Sequence, residues 1–304
     1  MKDYLHTFSI VAQDPLSKQI GVAVQSHWFA VGALCPWAEA GVGAVATQSL
    51  VKVSYGPIGL NLLRTGKSAL ETLQELLDND ENREARQVAI VDARGNVAVH
   101  TGKNCISYAG HSSGLGFSVQ ANMMKNVSVW PAMAEAYQTT GGDLADRLLA
   151  TLQAAQKAGG DIRGMQSAAL LIVDDQLTDQ PWDHILFNIR VDDSQDPIAE
   201  LARLLKIQRA YYLMNEGDEL LGKKSFEAAM LKYQSAEEFA PQLDEIPFWI
   251  AVSLADSGQI EKALPIFARV FKINPDWAEL VQRLPKAGLM CDDDEMISKI
   301  LKVK

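Results

Sequence analysis

The sequence predicts an α+β domain built as a four-layer α-β-β-α sandwich, followed by an all-α helical-repeat domain. Three observations carry this. The chain opens on a hairpin of two short apolar strands. Helices then come in pairs between groups of strands, whereas a doubly wound sheet would alternate them singly. The last third repeats itself at a 34-residue period. The expected domains are residues 1–207 and 208–304.

The hairpin joins Thr7–Ala12 to Gly21–Ser26 across a turn-like segment, Asp14-Pro15-Leu16-Ser17-Lys18-Gln19. Alternation puts Thr7, Ser9 and Val11 on one face and Phe8, Ile10 and Ala12 on the other. A small-residue strand follows over Gly41–Ser49. Tyr55-Gly56-Pro57 starts a helix, and Ser68 with Glu71 forms a capping box for a second, its stripe being Leu70, Leu73, Leu76 and Leu77. Gln87–Asp92 and Asn96–His100 read as a hairpin across Ala93-Arg94-Gly95. Phe117–Asn122 is a strand with Ser118, Gln120 and Asn122 on one face, which suits a solvent-facing edge as well as a site. Val127–Tyr137 is helical, and Asp143 caps a further helix that Gly159-Gly160 ends. Ala168–Val173 lacks alternation, as expected of a strand covered on both faces, and Ile185–Val191 alternates. Asp196-Pro197 starts a helix toward Leu205.

The net charge of −10 argues against a nucleic-acid surface and against anionic membranes as partners. The start of the chain lacks the apolar core of a signal peptide, and no run approaches the ~18 apolar residues of a membrane span. A cytoplasmic location is expected. Cys35, Cys105 and Cys291 form no Cys-x-x-Cys pair and read as buried structural thiols.

No cofactor is expected. Gly41, Gly43 and Ala46 match the dinucleotide fingerprint only nominally, because no helix opens there and no βαβ unit surrounds them. The histidines at 6, 27, 100, 111 and 184 lack metal-ligand spacing, and the Asp174-Asp175 and Asp192-Asp193 pairs look like turns.

The hydroxyls at Thr7 and Ser9 open the first long strand. A chain cut just before such a hydroxyl frees an α-amine beside it. That amine titrates at about 7.7–8.0 and can act as general base. A strand that merely begins with Thr and Ser is the plainer reading.

Residues 7 to about 205 resemble the domain-of-unknown-function family 1028, placed in the N-terminal-nucleophile (Ntn) hydrolase superfamily. The matching segments include Thr-Phe-Ser-Ile-Val-Ala at 7–12, Phe-Ala-Val-Gly at 29–32, Ala-Gly-Val-Gly-Ala-Val-Ala-Thr-Gln at 40–48 and Tyr-Gly-Pro at 55–57. Ala-Gly-His at 109–111, Val-Gln-Ala-Asn-Met at 119–123, Gln-Ser-Ala-Ala-Leu at 166–170 and Arg-Val-Asp-Asp at 190–193 complete the set. The resemblance implies the sandwich and supplies no substrate. It implies Thr7 as nucleophile, with Ser9 orienting the amine or standing in for it. Asn122 and Gln120 would hold the oxyanion, and Gln48 and Gln166 would bind substrate. Six residues precede Thr7, so this chemistry requires their removal.

In the last third, Gly217 matches Ala251, Leu220 matches Leu254, Glu227 matches Glu261, Ala229 matches Ala263, Tyr233 matches Phe267 and Pro241 matches Pro275. The period and the small–small–aromatic–Pro pattern are similar to the tetratricopeptide motif. A helix from Pro197 through Tyr212 and the segment Asp294–Lys304 would cap the array. Two functional readings follow. One is an Ntn-type amidohydrolase acting on a small amide or peptide bond. The other is a non-catalytic scaffold whose repeats bind a peptide or protein partner. A homo-oligomer is open under either.

Overall fold

The computed structural model describes residues 4–304. It divides into two compact units, the first ending at Ala202 and the second spanning Arg203–Lys304. The division falls inside a helix, upstream of the expected boundary at 207/208.

The first unit is a mixed α/β body with two antiparallel sheets. Among the described residues the first element is a two-residue strand β1 (Tyr4–Leu5), which passes through His6 into β2 (Thr7–Gln13), and this turns back as β3 (Ile20–Ser26). The turn is fixed as its residues suggest: Asp14 Oδ1 accepts from the Leu16 N–H and Asp14 Oδ2 from the Ser17 hydroxyl. Next come β4 (Pro36–Glu39), β5 (Gly43–Leu50), α1 (Tyr55–Arg64), α2 (Ala69–Asp78), β6 (Arg86–Asp92) and β7 (Val97–Thr101). Then follow β8 (Gly110–Gly114), β9 (Phe117–Ala121), α3 (Val129–Thr139), α4 (Leu144–Lys157), β10 (Ser167–Val173) and β11 (Ile185–Val191).

One sheet runs β1-β5-β6-β7, with β4 also on β5; the other runs β11-β10-β3-β2-β9-β8. The sheets meet through β2 and β3 on one side and β5 and β6 on the other. Helices α1 and α2 pack on strands of the first sheet, and α3 and α4 on strands of the second. Every residue of β2 and β3 is therefore buried, including Thr7 and Ser9. Beyond these polar strand ends the same inter-sheet face is apolar: Val11, Val22, Val24, Ala44, Ala46, Ala89 and Val91 share one core cluster.

Local chemistry explains most helix starts. Ser68 accepts from the Glu71 N–H and Glu71 returns the bond, completing the capping box of α2. Asp143 caps α4 by accepting from the Asp146 N–H. Some expectations need correcting. Leu70 is exposed, and the buried stripe of α2 is Ala69, Thr72, Leu73 and Leu76; the helix is rotated so that its capping end presents Ala69 inward. Strand β9 is no solvent-facing edge, since β8 continues the sheet beyond it and Ser118, Gln120 and Asn122 are all buried. Cys35 and Cys105 are buried, but Cys291 is exposed.

The second unit is helical, beginning within helix α5 (Pro197–Gly222), whose residues 197–202 fall in the first. Helix α5 is continuous, and it is followed by α6 (Phe226–Phe239), α7 (Glu245–Asp256), α8 (Ile260–Ile273), α9 (Asp276–Val281) and α10 (Asp294–Leu301). The expected end of the first helix near Tyr212 fails because no Gly or Pro falls between Pro197 and Gly217 to stop it. Gly217 instead serves close packing: a Cβ there would sit 2.3 Å from the Tyr233 ring. Tyr233 and Phe267, matched by the repeat, are both buried.

Candidate functional site

Thr7 sits where β2 leaves the first residues of the chain, and the register of the hairpin places it opposite Ser26. The Thr7 hydroxyl donates to Ser26 Oγ at 3.2 Å, and the Ser26 hydroxyl donates to the carbonyl of His6 at 2.7 Å. That carbonyl belongs to the peptide bond immediately before Thr7. It also accepts from Arg163 Nη2 at 2.9 Å. The guanidinium is itself fixed by Asp161, through Nε at 3.0 Å and Nη2 at 2.6 Å. Asp161 in turn accepts from the His27 N–H at 3.3 Å. The bond ahead of Thr7 thus carries a charged donor and a hydroxyl donor on its oxygen, beside a hydroxyl that could attack its carbon.

A network of buried amides surrounds this point. Gln48 reaches across from β5, its Nε2 donating to the Thr7 carbonyl at 3.2 Å and to Gln87 Oε1 at 2.7 Å. Ser9 donates to Gln48 Oε1 at 2.6 Å and accepts from Gln120 Nε2 at 2.6 Å. Asn122 donates from Nδ2 to Gln87 Oε1 at 3.0 Å, and its backbone N–H donates to the Thr7 carbonyl at 3.1 Å. Gln87 spends its own NH2 on Thr101 Oγ1 and on the carbonyls of Gly110 and Ala121. Every one of these side-chain amides is fully buried and partnered, as the cost of an orphaned polar group demands.

Four of the residues singled out from the sequence therefore meet around Thr7: Ser9, Gln48, Gln120 and Asn122. Gln166 does not join them by its side chain. Its amide donates to Asp193 at 3.1 Å, and only its backbone N–H reaches the hairpin, at Ser26 O. The Asn122 amide donates to Gln87 and Thr7 and the Gln120 amide to Ser9, while the donors on the His6 carbonyl are Ser26 and Arg163. Sequence reading missed both of these and Gln87. Ser26 was within reach of counting, since a turn over residues 14–19 pairs position 7 with position 26. Arg163 and Gln87 arrive from other strands and loops and leave no local signal.

Electrostatics keep the site neutral apart from the Arg163–Asp161 pair. His6 is buried, with Nδ1 3.1 Å from Asn122 Oδ1. Burial holds its pKa below the ordinary histidine value; the Arg163 charge acts in the same direction, against the Asn122 hydrogen bond and Asp161. The Cys35 thiol, 3.9 Å from Gln48 Oε1, is pushed far above the usual range by burial. It is no nucleophile at neutral pH. Among the described residues no group of three or more His, Cys, Asp or Glu could hold a metal ion, and no helix is long and apolar enough to cross a membrane.

Comparison with known proteins places the chain by family. The model of a family of unknown function, DUF1028, matches residues 7–201, so the chain belongs to that family. The match begins at Thr7. The crystal structure of protein SPO2555 from Silicibacter pomeroyi, also of DUF1028, superposes with a TM-score of 0.60 at 30% identity, over 66% of this chain and 85% of that one. No curated protein matches.

Proposed function

We propose that the protein is an Ntn-type amidohydrolase, its first unit the four-layer α-β-β-α sandwich of that superfamily and Thr7 its nucleophile once residues 1–6 are removed. The observation that supports this reading is the state of the His6 carbonyl. Two donors polarise it, and the hydroxyl of the next residue is held at its side through Ser26. Addition of Thr7 Oγ to the His6 carbonyl carbon would place the negative charge on the oxygen that Arg163 and Ser26 already hold. Breakage of the C–N bond, with the proton passing to the departing Thr7 nitrogen, leaves an ester between His6 and Thr7. Water hydrolyses it to a His6 carboxylate and a chain beginning at Thr7. The freed α-amine is then the general base for attack on an exogenous amide, and gives its proton to the leaving group.

Intact mass of the purified protein tests this directly. The expected native chain begins at Thr7, and Thr7→Ala stays whole, because the hydroxyl must drive the cleavage. Ser9→Ala is the control that separates the two hydroxyls: it should still process, whereas processing that stops there and not at Thr7→Ala would move the nucleophile to Ser9. A native chain beginning at Met1 or Lys2 would sink the mechanism.

The second reading is a scaffold that does no chemistry and binds a partner through tetratricopeptide-like repeats. Its support is a groove of about 810 Å³ in the helical unit, with Met230, Leu231, Ile250 and Ile266 in its wall and Glu237 and Glu238 beside them. An unprocessed native chain leaves this reading in place.

A further inference from the structure

Resting on the hydrolase reading above, we propose that the processed protein cleaves extended peptides, and that residues 4–6 occupy the subsites used by the acyl half of its substrate. The leader is then a copy of what the site accepts.

The first step of the inference is positional. Thr7 Oγ is fixed by Ser26, and the donors for the developing oxyanion are fixed at Ser26 and Arg163. A second acyl group attacked by the same oxygen gains the same donors only by bringing its carbonyl to the place where the His6 carbonyl now lies. Arg163 is preorganised for this by its two bonds to Asp161.

The second step is the route by which the chain reaches that carbonyl. The backbone of β1 pairs antiparallel with the end of β5, Tyr4 opposite Leu50 and Leu5 opposite Ser49. It does so on the edge of β5 away from β6, the edge that β4 covers from Gly43 to Ala46. Removal of the leader leaves the Ser49–Leu50 stretch of that edge without a strand; the Leu50 carbonyl keeps its bond from Arg86 Nη1, and the stretch is open to another strand. Strand addition of this kind recognises a main chain, so it selects peptides over compact amides.

The third step concerns the residue whose carbonyl is attacked. The His6 side chain is enclosed, and its Nδ1 faces Asn122 Oδ1 at 3.1 Å. An amide oxygen only accepts. The subsite therefore favours a side chain that can offer an N–H or O–H.

The reaction on such a substrate balances with water alone. Thr7 Oγ adds to the carbonyl carbon while its proton passes to the α-amine. The C–N bond breaks as that proton moves to the leaving amine. Water then cleaves the ester to a carboxylate and restores the hydroxyl.

The test uses the processed full-length protein and three fluorogenic coumarin amides: Tyr-Leu-His, acetyl-His and acetyl-Ala. The expected order of kcat/KM is that order, with the tripeptide about tenfold or more above acetyl-His, as two added backbone contacts would give. The free tripeptide Tyr-Leu-His should compete. Equal rates on all three amides overturn the peptide slot and leave the hydrolase reading standing. A processed protein that cleaves none of them but binds the free tripeptide keeps the slot and overturns the hydrolase. Neither cleavage nor binding overturns both, and so does a chain whose mass shows that the leader never leaves.

Discussion

The two units bury different kinds of side chain. Among the described residues, the buried polar and charged side chains all fall between His6 and Ser167, in the first unit. The centre of the second unit is aliphatic and aromatic. Phe248 stacks on Trp277 at 4.4 Å, Phe267 on Phe271 at 5.5 Å, and Phe248 meets Phe267 edge-on at 6.1 Å. The polar centre is no requirement of packing one sheet on another, because the same inter-sheet face around Val11 is built from Val and Ala. Polar groups brought out of water and fully re-paired contribute little net stability, while apolar burial contributes about 25 cal/mol per Å². The helical unit is built for stability at its centre. The first unit gives up that contribution at one end of its inter-sheet layer, the end that holds Thr7, and the amides found there are fixed in direction.

The contrast is sharpened first in the helical unit. Phe267→Ala is expected to cost on the order of 3–5 kcal/mol, as truncation of a buried aromatic does, with Tyr233→Ala similar. Urea denaturation measures it. A loss well under 1 kcal/mol at both positions would mean that the helices are not closed by these rings, and the description of this centre as a packed aromatic core would fail.

Gln87→Leu addresses the other side with a smaller expected loss. The substitution keeps the volume and removes an acceptor for Gln48 and Asn122 and a donor to Thr101, Gly110 and Ala121. Leaving such groups without partners costs about 1–3 kcal/mol in mutational series. The same denaturation experiment reads it, and processing at Thr7 should slow because Gln48 also holds the Thr7 carbonyl. A Gln87→Leu protein more stable than the parent, with unchanged processing, would show that the polar end is ordinary core.

How much of this was legible in the chain differs by feature. The hairpin was readable because Asp14 and Ser17 are turn formers between two apolar runs. The caps at Ser68 and Asp143 and the matched rings of Tyr233 and Phe267 were readable for the same reason: the signal is local or periodic. Strands β1 and β4 were not. At two and four residues they are too short for alternation to register, and each exists because β5 offers it an edge. The polar face of β9 was visible, but what it faces is a property of two sheets. The sequence suggests Asn122 as an oxyanion donor, and its amide is occupied with Gln87 and Thr7 instead. Arg163 stands two residues after Asp161 in a glycine-rich loop, where it looks like a surface residue until the fold carries it to the His6 carbonyl.

The smallest effect expected is a pH dependence, and it bears on the polar end of the first unit. His6 is buried neutral among Asn122, Arg163 and Asp161, so its folded pKa lies below the 6.5 of the unfolded chain. Between those two values unfolding takes up a proton. The contribution of His6 to stability is therefore fully present above about pH 6.5, falls as pH drops below it, and levels off once pH is under the folded pKa. His111 is shifted the same way by burial and by His100, so the measurement has to be a difference. Thr7→Ala, which keeps the leader, should lose stability from neutral pH downward more steeply than the double variant Thr7→Ala/His6→Asn. A native chain processed before Thr7, as proposed, would have no His6 and should follow the shallower slope. Identical slopes for the single and double variants would mean that the imidazole is solvated in the folded chain. The enclosed subsite next to Thr7 would then not exist, and the polar end of the first unit would be a wet edge with no built site.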